Sequence, residues 1–247
     1  MKKAISVILI LMGFVFAQSF DDLIAQADVK HDIDDYDGTF ELLKQAEQLE
    51  SGNIEVVWRL ARAHFDFADN SEDEEVISDN YYKGLEFAKQ ALELDDNHAE
   101  PHKWYGILIG KVGELEGTKQ KILNSYEVKD HTMKAIELDP TDDGNFHVMG
   151  RWHYTLADLS WVERKIAGLI YAKPPQASFE EAAEYFKKAI ALSPDDIRNH
   201  LWLGNTYVAL GKDEMAKQEY NTALGITAET DSDRKLQKEA QGLLSEL

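Results

Sequence analysis

KQALELDDN (89–97), KAIELDPTD (134–142), KAIALSPDD (188–196) and the worn copy NTALGITAE (221–229) decide how this chain folds. Each continues a helical apolar pattern, places an alanine on the packing face, and halts about five residues later at proline or aspartate. Upstream of three copies a small residue sits between apolar neighbours: His102-Tyr105-Gly106-Ile109, Phe146-Met149-Gly150-His153 and His200-Leu203-Gly204-Tyr207. Two short antiparallel helices per unit, repeated in series, predict a solenoid in which each unit buries its apolar face against its neighbours.

Aligning the units on these small residues shows where they differ. Gly204 and Ala216 are 12 residues apart, Tyr220 and Ala223 follow, and Gly211 lies where a helix C-terminal cap belongs. This unit nearly fulfils the tetratricopeptide pattern of Gly, Tyr, Ala, aromatic and Ala. Gly150 and Ala182 are instead 32 residues apart, with Phe186, Ala189 and Pro194 following; Gly106 to Val128 and Arg62 to Gly84 are each 22. The excess reads as lengthened helices. Trp161, Lys165, Ile166, Leu169 and Ile170 keep helical spacing until Pro174-Pro175, and Leu115, Ile122, Tyr126 and His131 continue another run. Leu23, Ala27, Leu43 and Ala46 mark a degenerate first unit, and Asp69 to Glu75 an exposed connection. The expected fold is all-α: a right-handed tetratricopeptide-like superhelix of about five helix pairs with lengthened helices. Its parts are a degenerate repeat at 18–50, the array at 51–231, and a capping helix at 232–247 with Leu236, Ala240 and Leu243 or Leu244 inward.

Residues 1–17 stand apart. Lys2 and Lys3 precede an apolar run from Ala4 to Phe16, and Ala17 supplies the small residue of a cleavage site, which predicts a signal peptide and an exported, periplasmic or secreted protein. The run is shorter than the ~20 residues that span a bilayer, so stable membrane insertion is not expected. There is no cysteine for lipid attachment or a disulfide. The chain has 26 basic and 46 acidic residues, a net charge of −20, which repels nucleic acid and anionic membranes at long range.

The insertions carry a family resemblance. EVVWRLARAHFDFAD (55–69), HKWYGILIGKVGELEGTKQKI (102–122), KDHTMKAIELDP (129–140) and GRWHYTLADLSWVERKIAGLIYAKPPQASFEEAAEYFKKA (150–189) make residues 36–247 resemble the regulator of microtubule dynamics family. The resemblance implies a tetratricopeptide-like fold. Among eukaryotic relatives it implies association with microtubules, and in one of them organelle tethering and phospholipid binding and movement. An export signal in place of their anchors sets the microtubule role aside and leaves peptide or lipid holding as what could transfer.

No catalytic set emerges, and no cofactor is expected. The histidines lack metal spacing: His98 and His102 are separated by a helix-starting Pro101, His147 and His153 point about 120° apart, and no His-Glu-x-x-His occurs. Structural or solvated histidines are the better reading. His31 to Gly38 approaches a calcium loop, yet Ile33 and Lys44 occupy two essential ligand positions, so an acidic turn is expected with Asp37 or Thr39 capping the next helix. Gly106, Gly110 and Gly113 fit close packing and capping. Trp58 belongs to the core, whereas Trp104, Trp152 and Trp202 either cover the lengthened helices or line a cavity.

One face of the first helices reads differently. The stripe Arg59, Ala63, Asp66; Lys103, Ile107, Gly110; His147, Arg151, Tyr154; Leu201, Asn205, Val208 has three basic groups among its four formal charges. A groove is expected from Arg59, Lys103, His147, Arg151, Tyr154 and Asn205, with Trp161 and Arg164 at its rim and Lys165 beside Trp161. It suits an anion with an apolar tail. The leading expectation is a non-catalytic module that holds a protein or peptide partner in this groove; a lipid or small apolar-ligand carrier is the alternative.

Overall fold

The computed structural model describes residues 18–170 and 175–247. The segment read as a signal peptide, and the helix stop assigned to Pro174, lie outside the described residues. Five helix pairs succeed one another: α1 (Phe20–His31) with α2 (Tyr36–Leu49), α3 (Ile54–Asp69) with α4 (Glu74–Leu94), and α5 (Ala99–Leu115) with α6 (Thr118–Leu138). Then come α7 (Asp143–Ala157) with α9 (Phe179–Leu192) and α10 (Ile197–Ala209) with α11 (Asp213–Gly225); α8 (Trp161–Ile170) is inserted between α7 and α9. The last helix, α12 (Asp231–Ser245), packs on α11 and α10. No strand occurs among the described residues.

The repeated phrase does two jobs. Its alanines Ala135, Ala189 and Ala223 are completely buried. Its closing aspartates cap the next helix: Asp142 accepts from the Gly144 amide at 2.9 Å and Asp196 from the Arg198 amide at 2.8 Å. Each such cap stabilises by about 1 kcal/mol. In the acidic turn the cap is Asp35, which accepts from the Gly38 amide at 3.0 Å, and not Asp37 or Thr39. Both of those lie within the first turn of α2, and Thr39 is buried with its hydroxyl donated to the Asp35 carbonyl.

Within each aligned unit the small residue is where the two helices touch. A Cβ on Gly150 would stand 2.6–2.8 Å from the ring carbons of the fully buried Phe186, and one on Gly204 would strike the Tyr220 ring. At Gly106 the neighbour is Thr132, 2.9 Å from such a Cβ and in the register position of the two aromatics. Residue spacing therefore specifies the interhelical contacts as well as the helices.

The extra length is distributed less simply than expected. Helices α4 and α6 have 21 residues each, so those units are lengthened. The run from Leu115 to His131, however, is broken by Gly117, whose φ of +92° is open to glycine at little cost. In the fourth pair the excess builds a separate helix: α7 ends at Ala157 and α8 begins at Trp161.

The array also returns on itself. The Ser232 amide at the start of α12 donates to Asp34 at 2.8 Å, and the Tyr36 hydroxyl meets the Ser232 hydroxyl at 3.2 Å. One turn further on, Lys235 donates to the Asn70 side chain at 3.1 Å. The turn between α1 and α2 and the end of α3 are thus joined to the C-terminal helix.

Gly150→Ala should destabilise by about 1–3 kcal/mol through overpacking. Urea unfolding should show that loss, and Phe186→Leu in the same chain should recover part of it; additive losses would contradict the contact.

Candidate ligand-binding cleft

A cleft of about 470 Å³ opens across the first helices, with Lys121, Ser125 and Val128 of α6 also lining it. It runs obliquely. Its walls pass from the C-terminal end of α3 at Phe65 and Asp69, across α5 at Lys103, Ile107 and Lys111, to α7 at His147, Arg151 and Thr155. It finishes at the N-terminal half of α10, with Arg198 and Trp202, while Leu236 of α12 contributes to the same lining. Trp104, Trp152 and Trp202 all line it, and Trp152 also covers the lengthened α6, donating its indole N–H to the Ser125 carbonyl at 2.7 Å. Trp58 belongs to the core.

Three expected groove residues, Lys103, His147 and Arg151, meet in this cleft. The others do not. Arg59 lies outside the lining and is clamped between helices: Nε and an Nη donate to Asp28 at 2.9 and 2.7 Å, and the other Nη to Glu55 at 2.7 Å. Burial opposes its charge, but the two carboxylates outweigh burial and raise its pKa. Asn205 faces α11 and accepts from the Tyr220 hydroxyl at 2.7 Å. Trp161 is 70% exposed on α8 with the Lys165 ammonium 4.5 Å from its ring centroid, away from the cleft. Arg164 donates to the carbonyls of Leu156, Ala157 and Leu159 at 2.6, 2.8 and 3.0 Å. It thereby satisfies the carbonyls that every helix C-terminus leaves orphaned. Tyr154 stands behind the lining, edge-on to Phe179 and Trp202 with centroids 5.2 and 5.4 Å away.

Inside the cleft most charge is already matched. Lys103 donates to Glu100 at 2.7 Å and Asp142 at 2.6 Å. Burial disfavours its ammonium, yet the two carboxylates prevail and its pKa is raised. Lys111 binds Asp69 at 2.9 Å, and Arg198 pairs with Asp196 at 2.8 Å while reaching Asp143 at 3.7 Å. The basic stripe is consequently not a free positive surface. In a chain so rich in carboxylates, a partly buried cation acquires a partner.

Arg151 differs. It makes no hydrogen bond or ion pair among the described residues, and its Nε is fully buried without a partner. Its Cζ lies 3.7 Å from the centroid of the Trp202 ring. Burial lowers its pKa, the reverse of what the paired arginine Arg59 experiences. Beside it His147 is held neutral: burial drives its pKa well below the ordinary value of 6.5, with Arg198 and Arg151 adding to the effect. Its Nδ1 hydrogen bonds the Asn199 side-chain oxygen at 2.7 Å, and Asn199 in turn donates to Asp143 at 2.9 Å.

Two other buried histidines, His64 and His102, repeat this structural role. His64 bonds Asn80 at 2.8 Å, and His102 bonds both His131 at 2.9 Å and the Asp96 carbonyl at 2.8 Å. His200 is the exception in charge, because both ring nitrogens face acceptors: Glu219 at 2.7 Å and the Pro194 carbonyl at 3.0 Å. Burial resists its imidazolium, but these two bonds overcome it and raise the pKa.

Comparison with known proteins places the chain. The family model described as Regulator of microtubule dynamics protein 1-3 matches residues 23–247. The mouse Regulator of microtubule dynamics protein 1 is 40% identical over 231 residues, covering 92% of this chain and 74% of its own. The chain belongs to the regulator of microtubule dynamics family. The Xenopus laevis protein 3 of this family is 35% identical over 197 residues, covering 79% of this chain and 42% of its own. A thermophilic TPR protein from Thermus thermophilus shares the fold alone: TM-score 0.69 at 15% identity, covering 92% of this chain and 99% of that one.

The histidines give the family fold here a pH signature. Burial lowers the pKa of His64, His131, His147 and His153, so these groups take up protons on unfolding once the pH falls below about 6.5. Their contribution is present above that value and is lost as the pH falls. His200 acts oppositely, stabilising below 6.5 and losing that contribution as the pH rises through its elevated folded value. With four groups against one, the free energy of unfolding should decline from about pH 7 to about pH 5. Urea titrations should show the decline, and His147→Gln should flatten it; a level profile would contradict neutral burial.

Proposed function

We propose that this protein is a non-catalytic binding module that holds a segment of a protein partner in the oblique inner cleft. The observation that carries this reading is the construction of that cleft. Consecutive first helices of a repeat array supply most of its walls, with α6 and α12 contributing, and it contains a cation that the fold itself leaves unmatched. Repeat arrays offer extended concave surfaces of this kind to partners. Export joins the proposal through the charged start and apolar run of residues 1–17. The relatives' names concern microtubules; for an exported chain the shared property would be the binding surface, with a different partner.

The carrier alternative gains little from the cleft. Five cationic and four carboxylate side chains are among its lining, and an acyl chain placed against them would strip their hydration without compensation. A peptide brings polar backbone and side chains that can replace that hydration.

A photo-crosslinking residue at Thr155, within the cleft, should capture a protein partner in the native host. The same residue at the exposed Lys188 of α9 should not. Capture confined to Lys188 would overturn the cleft assignment.

A further inference from the structure

Arg151 is an arginine for which the fold supplies a platform and no counter-ion. The Trp202 ring lies 3.7 Å from its Cζ, and Tyr154 and Phe179 pack in sequence behind that ring. A guanidinium stacked on an aromatic face keeps in-plane donors for a second, planar group. Among the described residues nothing takes them up. Leaving a buried charged donor without a partner is costly, and Arg59, Arg62 and Arg164 of the same chain all have acceptors.

The surrounding charge limits what the partner can be. Lys103 is matched by Glu100 and Asp142, Lys111 by Asp69, and Arg198 by Asp196 and Asp143. Arg151, Lys121 and the exposed Glu114 remain outside these pairs, and Arg151 feels Glu114, Asp69 and Glu239 only at longer range. A monoanion matches the single charge of Arg151. A phosphate dianion would bring a second negative charge among these carboxylates, in a chain of net charge −20. A carboxylate also matches the arginine fork in shape, accepting two parallel hydrogen bonds.

We propose that Arg151, stacked on Trp202, is the recognition point for a single carboxylate of the bound peptide, from an acidic side chain or a free C-terminus. This rests on the peptide-binding reading above and adds the identity of its anchoring group. Ile107, Val148 and Trp152 line the same cleft and offer apolar contact to the residues flanking that carboxylate. Lys121 is the second cation of the lining without a pair, and acts at longer range.

The test uses a random twelve-residue peptide library displayed with a free C-terminus and selected on the full-length protein. The selected peptides should carry an aspartate, a glutamate or a C-terminal carboxylate requirement. Fluorescence anisotropy with one labelled selected peptide should then show weakening of roughly ten- to a hundredfold for Arg151→Met. Amidating or isosterically neutralising the peptide's acid should have the same effect, and the two changes together should add little. Arg151→Lys should recover part of the affinity. Unchanged thermal unfolding of the variants keeps a folding defect separate. Peptides that bind without any acid, or indifferently to Arg151→Met, would overturn the carboxylate assignment and leave peptide binding standing. Failure to select any peptide would overturn both. Arg151-dependent sedimentation with phosphatidic acid vesicles but not with peptides would reassign the site to a lipid, and competition by inorganic phosphate but not acetate would overturn the monoanion argument.

Discussion

The structure depends on close approach between paired helices, enforced where a small residue faces a large one. Gly150 against Phe186 and Gly204 against Tyr220 leave no space for a Cβ, so each ring is seated in the facing helix rather than beside it. The same seat is occupied by Thr132 opposite Gly106. Seating one residue per pair sets the register of the pair, and register determines which residues of the first helix turn inward. Lys103, His147 and Arg151 reach the cleft because their helices are indexed in this way.

Electrostatics then separates the structural cations from Arg151. Asp28 binds Arg59 and Arg62 together, Asp142 and Glu100 bind Lys103, and Arg164 serves the end of α7. In an acidic chain a cation near the fold's interior is usually neutralised, and pairs of this kind contribute modestly to stability while removing the charge from recognition. Arg151 escapes because its neighbours are an indole face and a neutral imidazole. The low pKa of His147 matters here: an imidazolium beside Arg151 would repel it, and burial removes that charge at neutral pH.

The two ends of the array bear on the cleft as well. Asp34, with a φ of +61°, presents its carboxylate to the Ser232 amide, and Tyr36 meets the Ser232 hydroxyl. These bonds hold the start of α12 near the first helix pair, one turn before Leu236 enters the cleft lining. A helix that would otherwise cap only the last pair therefore also helps to shape the binding surface. The family relationship and the repeat architecture fit this construction without defining the ligand.

Periodicity in the chain by itself determined the helices, their pairing and the buried glycines, because residues four, seven and twelve positions apart report local geometry directly. It also located Arg151, whose place one residue after Gly150 sets it beside the packing face. What it left open were quantities that depend on residues far apart in sequence. Leu115 to His131 reads as continuous until Gly117 turns the chain, and the excess before Ala182 reads as length until it forms α8. Arg59 and Arg151 look alike in the stripe; only folding brings Asp28 to the first and Trp202 to the second, across 31 and 51 residues. The oblique course of the cleft likewise comes from tertiary stacking, which displaces each first helix along its neighbour and puts Trp202, not Asn205, at the inner wall. Local spacing decides what a helix can present, and long-range packing decides which of those groups remain unmatched for a ligand.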